Sequence, residues 1–152
     1  MIILNSTYTL LYPRLEHLRR KIVENEDMLL NDFMPYEIHP VPDNAPPEIP
    51  RITMKTKNEY SLLLISLTGA AIQTFYDDNY NRDWGKCKAY FDNKTKQTFN
   101  VIHQLLPKRV ETQSIKVQIL MDVINEPVLF LREKITTFDP TMDIRDIGCN
   151  AT

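Results

Sequence analysis

Six of the chain's ten prolines crowd into one short stretch, at positions 35, 40, 42, 46, 47 and 50, and no other feature limits the fold so strongly. Each removes a backbone donor and turns the preceding residue toward extended geometry. The stretch therefore reads as a stiff, extended connection between folded parts. The P-x-x-P spacing of Pro47 and Pro50 also suits docking into aromatic grooves, but such spacings arise often by chance. Glycine is scarce by contrast, with three in the whole chain, so Gly69 reads as the marker of a turn.

On the N-terminal side of the prolines, 1–12 is rich in Ile, Leu, Thr and Tyr and reads as a first strand. Pro13 then suits the first turn of a helix. Leu15, Leu18, Ile22, Leu29, Leu30 and Phe33 return to one helical face, with Arg19, Arg20, Glu24 and Glu26 off that stripe. Beyond the prolines, 52–57 and 60–76 read as three strands, the last two joined by a hairpin at Thr68-Gly69. The run Leu62 to Ile65 is continuously apolar, as in a central strand covered on both faces.

Asp83 suits the N-cap of a long helix in which Trp84, Cys87, Phe91, Thr95, Thr98, Ile102 and Leu105 recur at steps of three and four. Lys86, Lys88, Lys94 and Lys96 fall on its outer faces. The stretch 110–123 alternates as a strand with one buried face, 125–138 reads as a helix or a strand, and 139–152 as a polar, acidic tail. The expected fold is α+β, a two-layer sandwich with a mainly antiparallel sheet of about five strands carrying helices on one face, in a domain spanning 1–138.

Composition removes whole classes of function. Eighteen basic against 20 acidic residues give a net charge of −2, without the broad basic field of a non-specific nucleic-acid binder. No run approaches the roughly 20 apolar residues of a membrane span, and no secretory leader is evident, so the expected setting is cytoplasmic. The sequons at Asn5, Asn93 and Asn150 then read as chance, and Cys87 and Cys149 form no disulfide scaffold.

Catalytic patterns are thin. His17, His39 and His103 lack the i,i+4 partner of a zinc site. Cys87 with His103 would make a nucleophile and base, but Cys87 belongs to an apolar stripe. The run from Asp77 to Asp83 alternates oxygen ligands like a calcium loop, then fails where glycine and glutamate are required, at Arg82 and Lys88. Asp43 with Asp92 and Lys94 supplies the letters of a restriction-type nuclease, inside a helical pattern. Phosphate-cradle, dinucleotide-turn and nucleophile-elbow motifs are absent.

The run Asn44-Ala45-Pro46-Pro47-Glu48-Ile49-Pro50-Arg51, the Tyr80 and Trp84 of Y-N-R-D-W, and the strand ending near Ile124-Asn125 resemble an uncharacterised, sporadically distributed family of bacterial α+β proteins. The resemblance spans roughly 8–125 and implies no catalytic residue and no cofactor. It implies a setting in mobile elements or phage conflict. Two functions follow as expectations. The first is a non-enzymatic protein-interaction module, with another protein or a second copy of itself as partner. The alternative is a small metal-dependent nuclease or phosphodiesterase using Asp77, Asp78 and Asp83. The first strand carries no Lys, Arg or internal Pro, so Ile2, Ile3, Leu4 and Tyr8 are expected on an open sheet edge that pairs with a partner or makes a homodimer.

Overall fold

Alternation of Thr and Tyr with Ile and Leu makes Ile2–Leu11 a strand, β1, whose inward residues Ile3, Ser6, Tyr8 and Leu10 are buried. The computed structural model describes residues 2–29, 33–42, 44–105 and 110–120, all within one compact unit, Met1–Leu120. Beyond β1 it contains α1 (Leu18–Glu24), a single turn α2 (Glu26–Leu29), β2 (Phe33–Ile38), β3 (Ile52–Thr56), β4 (Ser61–Ile65), β5 (Gly69–Phe75), α3 (Trp84–Leu105) and β6 (Thr112–Leu120). The fold is α+β. The expected elements within 121–138, the tail, Cys149 and Asn150 lie outside the described residues.

The sheet has six strands in the order β2-β3-β4-β5-β1-β6, and all its described pairings are antiparallel. The expected count was about five; the additional strand is β2, inside the stretch read as helix and connection. Pro35 is tolerated there because β2 is outermost among the described strands and its pairing with β3 shifts register between Phe33 and Tyr36. Phe33, expected on the helix stripe, is instead a fully buried strand residue opposite Thr56.

The first helix is also shorter than its pattern. It begins at Leu18 rather than near Pro13, because the Tyr12 and Leu15 amides donate to the carbonyls of Thr68 (3.1 Å) and Leu67 (2.7 Å). His17 turns the chain into the helix with φ 57 and ψ 33, in the left-handed region. Asn25 ends it by donating its amide to Ile22 and its side chain to the Lys21 carbonyl. No described helix is long and apolar enough to cross a membrane.

One face of the sheet forms the core. Tyr8, Ile72, Leu63 and Met54 lie side by side across four strands, as do Leu10, Ala70, Ile65 and Ile52. Leu18 and Ile22 of α1 and Phe91, Val101, Ile102 and Leu105 of α3 join the same cluster. Leu62 and Leu64, expected to be fully covered, are half-buried, since the core lies only on the opposite side of β4. Along β6, Ile115, Val117 and Ile119 are half-buried and Ser114, Lys116 and Gln118 exposed, in the expected alternation. Trp84, expected in the core, is half-buried: it opens α3, and Cys87 and Phe91 take the inward positions.

The β1 edge expectation is overturned. β1 is hydrogen-bonded to β5 on one side and to β6 on the other, so it offers no free backbone for strand addition. Ile3 and Tyr8 are 1% and 5% exposed; Ile2 is half-buried opposite Leu120, and Leu4 is an outward residue at a register shift. The absence of Lys, Arg and internal Pro that suggested an unguarded edge equally suits a strand paired on both sides.

The Thr68-Gly69 hairpin joins β4 to β5 as expected. Ser66 Oγ accepts the amides of Thr68 (3.3 Å) and Gly69 (2.9 Å), and the Ser66 amide donates to the Gly69 carbonyl at 2.8 Å. Glycine is needed at 69 for close approach: a Cβ there would lie 3.0 Å from the Leu10 carbonyl oxygen and 3.2 Å from Leu11 Cδ2. Gly69→Ala should therefore destabilise the fold by about 1–2 kcal/mol through overpacking between β1 and β5, measured by urea denaturation; an unchanged midpoint would contradict the packing.

Candidate functional site

The acidic loop is built from turn chemistry. Asp77 accepts the Asn79 amide at 3.0 Å through Oδ1, and the Tyr60 hydroxyl (2.9 Å) and Asn79 Nδ2 (3.1 Å) through Oδ2. Asp78 accepts Asn81 Nδ2 at 3.0 Å, and Asp83 caps α3 by accepting the Lys86 amide at 3.0 Å. The Tyr60 hydroxyl, with help from Asn79, holds the Asp77 carboxyl below its ordinary 3.8 despite some desolvation. Among the described residues no three His, Cys, Asp or Glu side chains gather as a metal-ligand set.

The hydroxyls behind that loop are likewise engaged with one another. Tyr60, Tyr80 and Tyr90 pack edge to face with centroids 5.4 to 6.1 Å apart. The Tyr90 hydroxyl donates to Asn58 at 2.9 Å, Ser61 and Thr74 share a 2.8 Å bond, and Ser6 and Tyr76 a 2.7 Å bond. Burial pushes the Tyr76 phenol up to about 12, so it stays neutral. This layer fastens β1, β4 and β5 to α3.

The proposed nucleophile fares no better. Cys87 is 1% exposed, donates to the Tyr80 carbonyl, and is pushed up to about 11 chiefly by burial. His103 lies sixteen residues further along α3, about 24 Å away, and stacks on Phe99. His39 bonds Thr53, and Asp92 pairs with Lys88 on the helix surface. Lys86 and Lys94 are likewise occupied locally, with Asp83 and with Gln97 and the Tyr90 ring. Asp43 is outside the described residues.

A different set of residues converges at the start of α1. Arg14, Leu15, Glu16, His17, Leu18, Arg19, Arg20, Arg51 and Leu67 line a cavity of about 570 Å³. The amide bonds from Tyr12 and Leu15 to the β4–β5 turn bring this segment against the sheet. Leu15, Leu18 and Leu67 are buried, which leaves Arg14, Glu16, His17 and Arg20 exposed around them. Arg20 pairs with Glu24 at 2.8 Å, with both side chains more than half exposed. Arg19 donates to the carbonyls of His39 and Val41 and so ties α1 to the proline-rich loop.

Arg51 forms the deepest part of the lining. It is 2% exposed, and its guanidinium donates to the Ile49 carbonyl at 2.8 Å, with the carbonyls of Ala45, Pro46 and Pro42 at 3.3 to 3.5 Å. Its Nε has no acceptor, and among the described residues no carboxylate lies within ion-pair range. A buried, always-charged side chain held only by neutral carbonyls keeps a strong attraction for an anion.

The sequence reading did not find this cavity. Arg19 and Arg20 were visible only as polar positions off a helix stripe, and Arg51 only as the end of the Asn44 to Arg51 run. Nothing in the spacing places Arg51 at the same cavity as Arg14, because α1, α2, β2 and the proline-rich loop separate them. No protein-family model matches the chain, and no curated protein and no solved structure matches it.

The Asp77 geometry has a pH consequence. A carboxyl held below its ordinary 3.8 in the folded state stabilises it at neutral pH, and this contribution is lost as pH falls below that ordinary value. Asp77→Asn should lower stability at pH 7 and flatten the acid limb of a stability-versus-pH curve. An acid limb as steep as that of the unmodified protein would show that Asp77 does not carry it.

Proposed function

We propose that this protein is a non-enzymatic interaction module that holds a partner protein by an anionic group seated in the arginine-lined cavity. The observation that carries this reading is the convergence of Arg14, Arg19, Arg20 and Arg51 on one cavity where Glu16 is the single carboxylate among the described lining residues. Guanidinium groups recognise oxyanions through paired N–H donors, and a partly enclosed cavity strengthens that attraction relative to open water.

The alternative, a metal-dependent nuclease or phosphodiesterase, draws little support from the same geometry. It needs carboxylates that converge on a cation. Asp77, Asp78 and Asp83 instead serve a side-chain bond to Tyr60, a loop bond and a helix cap.

Calorimetric titration with sulfate, phosphate and citrate tests the reading. At least one should bind the unmodified protein, with affinity falling as salt rises, and the doubly substituted Arg14→Ala, Arg20→Ala variant should bind about tenfold more weakly. Mass spectrometry should recover the anion unaltered. Equal binding by the variant, absence of binding by all three anions, or chemical conversion of the bound anion would each contradict the proposal.

A further inference from the structure

Resting on the anion-binding reading, the geometry points to a phosphate monoester on a non-aromatic carrier as the group this cavity takes. Arg19 and Arg51 already donate to loop carbonyls, which leaves the exposed Arg14 and Arg20 to meet a ligand directly. Bonds to neutral carbonyls cancel no charge, so among the described lining residues the four arginines outweigh Glu16 by three positive charges. A carboxylate supplies one negative charge and two oxygens, enough for a single guanidinium fork. A phosphate monoester supplies about two charges and three acceptor oxygens, enough to engage both exposed arginines.

Arg51 gives the site its second, independent mark. Arg51 is 2% exposed, and its Nε is a donor without an acceptor in a residue that lines the cavity. A guanidinium buried without a counter-charge is costly, and an oxyanion above the Leu15, Leu18 and Leu67 floor would supply one. The exposed Arg20–Glu24 pair is of the kind that contributes little, so it yields to a better acceptor.

The lining also speaks to the carrier. Among the described residues it contains no Phe, Tyr or Trp to stack a nucleobase. Its three leucines suit an aliphatic carrier such as a phosphorylated serine or threonine side chain, or a small phosphorylated polyol. Both present the same phosphate chemistry, and they differ in whether flanking peptide adds contacts.

The test compares a phosphoserine peptide, its unphosphorylated twin, glycerol 3-phosphate and citrate by calorimetry on the full chain. Both phosphate monoesters should bind about tenfold more tightly than citrate, and the unphosphorylated peptide should not bind. A tighter phosphopeptide assigns the phosphate to a partner protein, and a tighter glycerol 3-phosphate assigns it to a free metabolite; either supports the inference. The Arg14→Lys, Arg20→Lys variant keeps the charge and loses the forks, so phosphate affinity should fall about tenfold while its melting temperature stays unchanged. Undiminished binding in that variant, or citrate binding as well as the phosphates, would overturn the phosphate assignment while leaving anion binding in place. Absence of binding by every anion would remove both.

Discussion

A single buried guanidinium organises the part of the molecule on which the functional reading rests. Prolines at 40, 42, 46, 47 and 50 leave the loop between β2 and β3 with more carbonyls than amides. Arg51 brings donors to that deficit and gathers the carbonyls of Pro42, Ala45, Pro46 and Ile49 around one side chain. Its backbone works in parallel: the Arg51 amide donates to the Ile65 carbonyl, and its carbonyl accepts the His39 amide, each at 2.8 Å. The loop is thereby fastened to β4, and the Leu67 amide adds a bond to the Pro47 carbonyl.

That arrangement carries the cost of removing a charge from water, several kcal/mol before compensation. Neutral carbonyls offset much of it and leave Nε unsatisfied. The acidic loop at the Asp77 to Asp83 turn resolves its polar groups differently. There the carboxylates and the tyrosine hydroxyls find partners within the fold, and Asp77 is held ionised by the hydroxyl it accepts. Polar groups spent on each other stabilise structure; polar groups left with unused capacity beside a cavity are available to a ligand.

The sequence disclosed what depends on local period. The alternation in β1 and β6, the step of three and four in α3, the Asp83 cap and the Gly69 hairpin could all be read from neighbours in the chain. Phe33 was misread because its spacing from Leu29 and Leu30 fits a helical stripe as well as a strand entry, and only pairing with Thr56 separates the two. β1 was misread as an edge because the absence of Lys, Arg and internal Pro suits a strand paired on both sides as well as an unguarded edge. The cavity was illegible for a related reason: Arg14 and Arg51 come to line one cavity only once the Tyr12 and Leu15 amides have bonded the β4–β5 turn, a contact between distant segments with no signature in either.

The most direct test is nitrogen-resolved NMR of the arginine side chains. A buried Arg51 clasped by carbonyls should show an Nε–H signal that exchanges with solvent far more slowly than those of exposed Arg14 and Arg20, and that shifts when a phosphate monoester is added. An Arg51 Nε–H exchanging as fast as the exposed arginines, and unmoved by phosphate, would contradict both the loop clasp and the site built upon it.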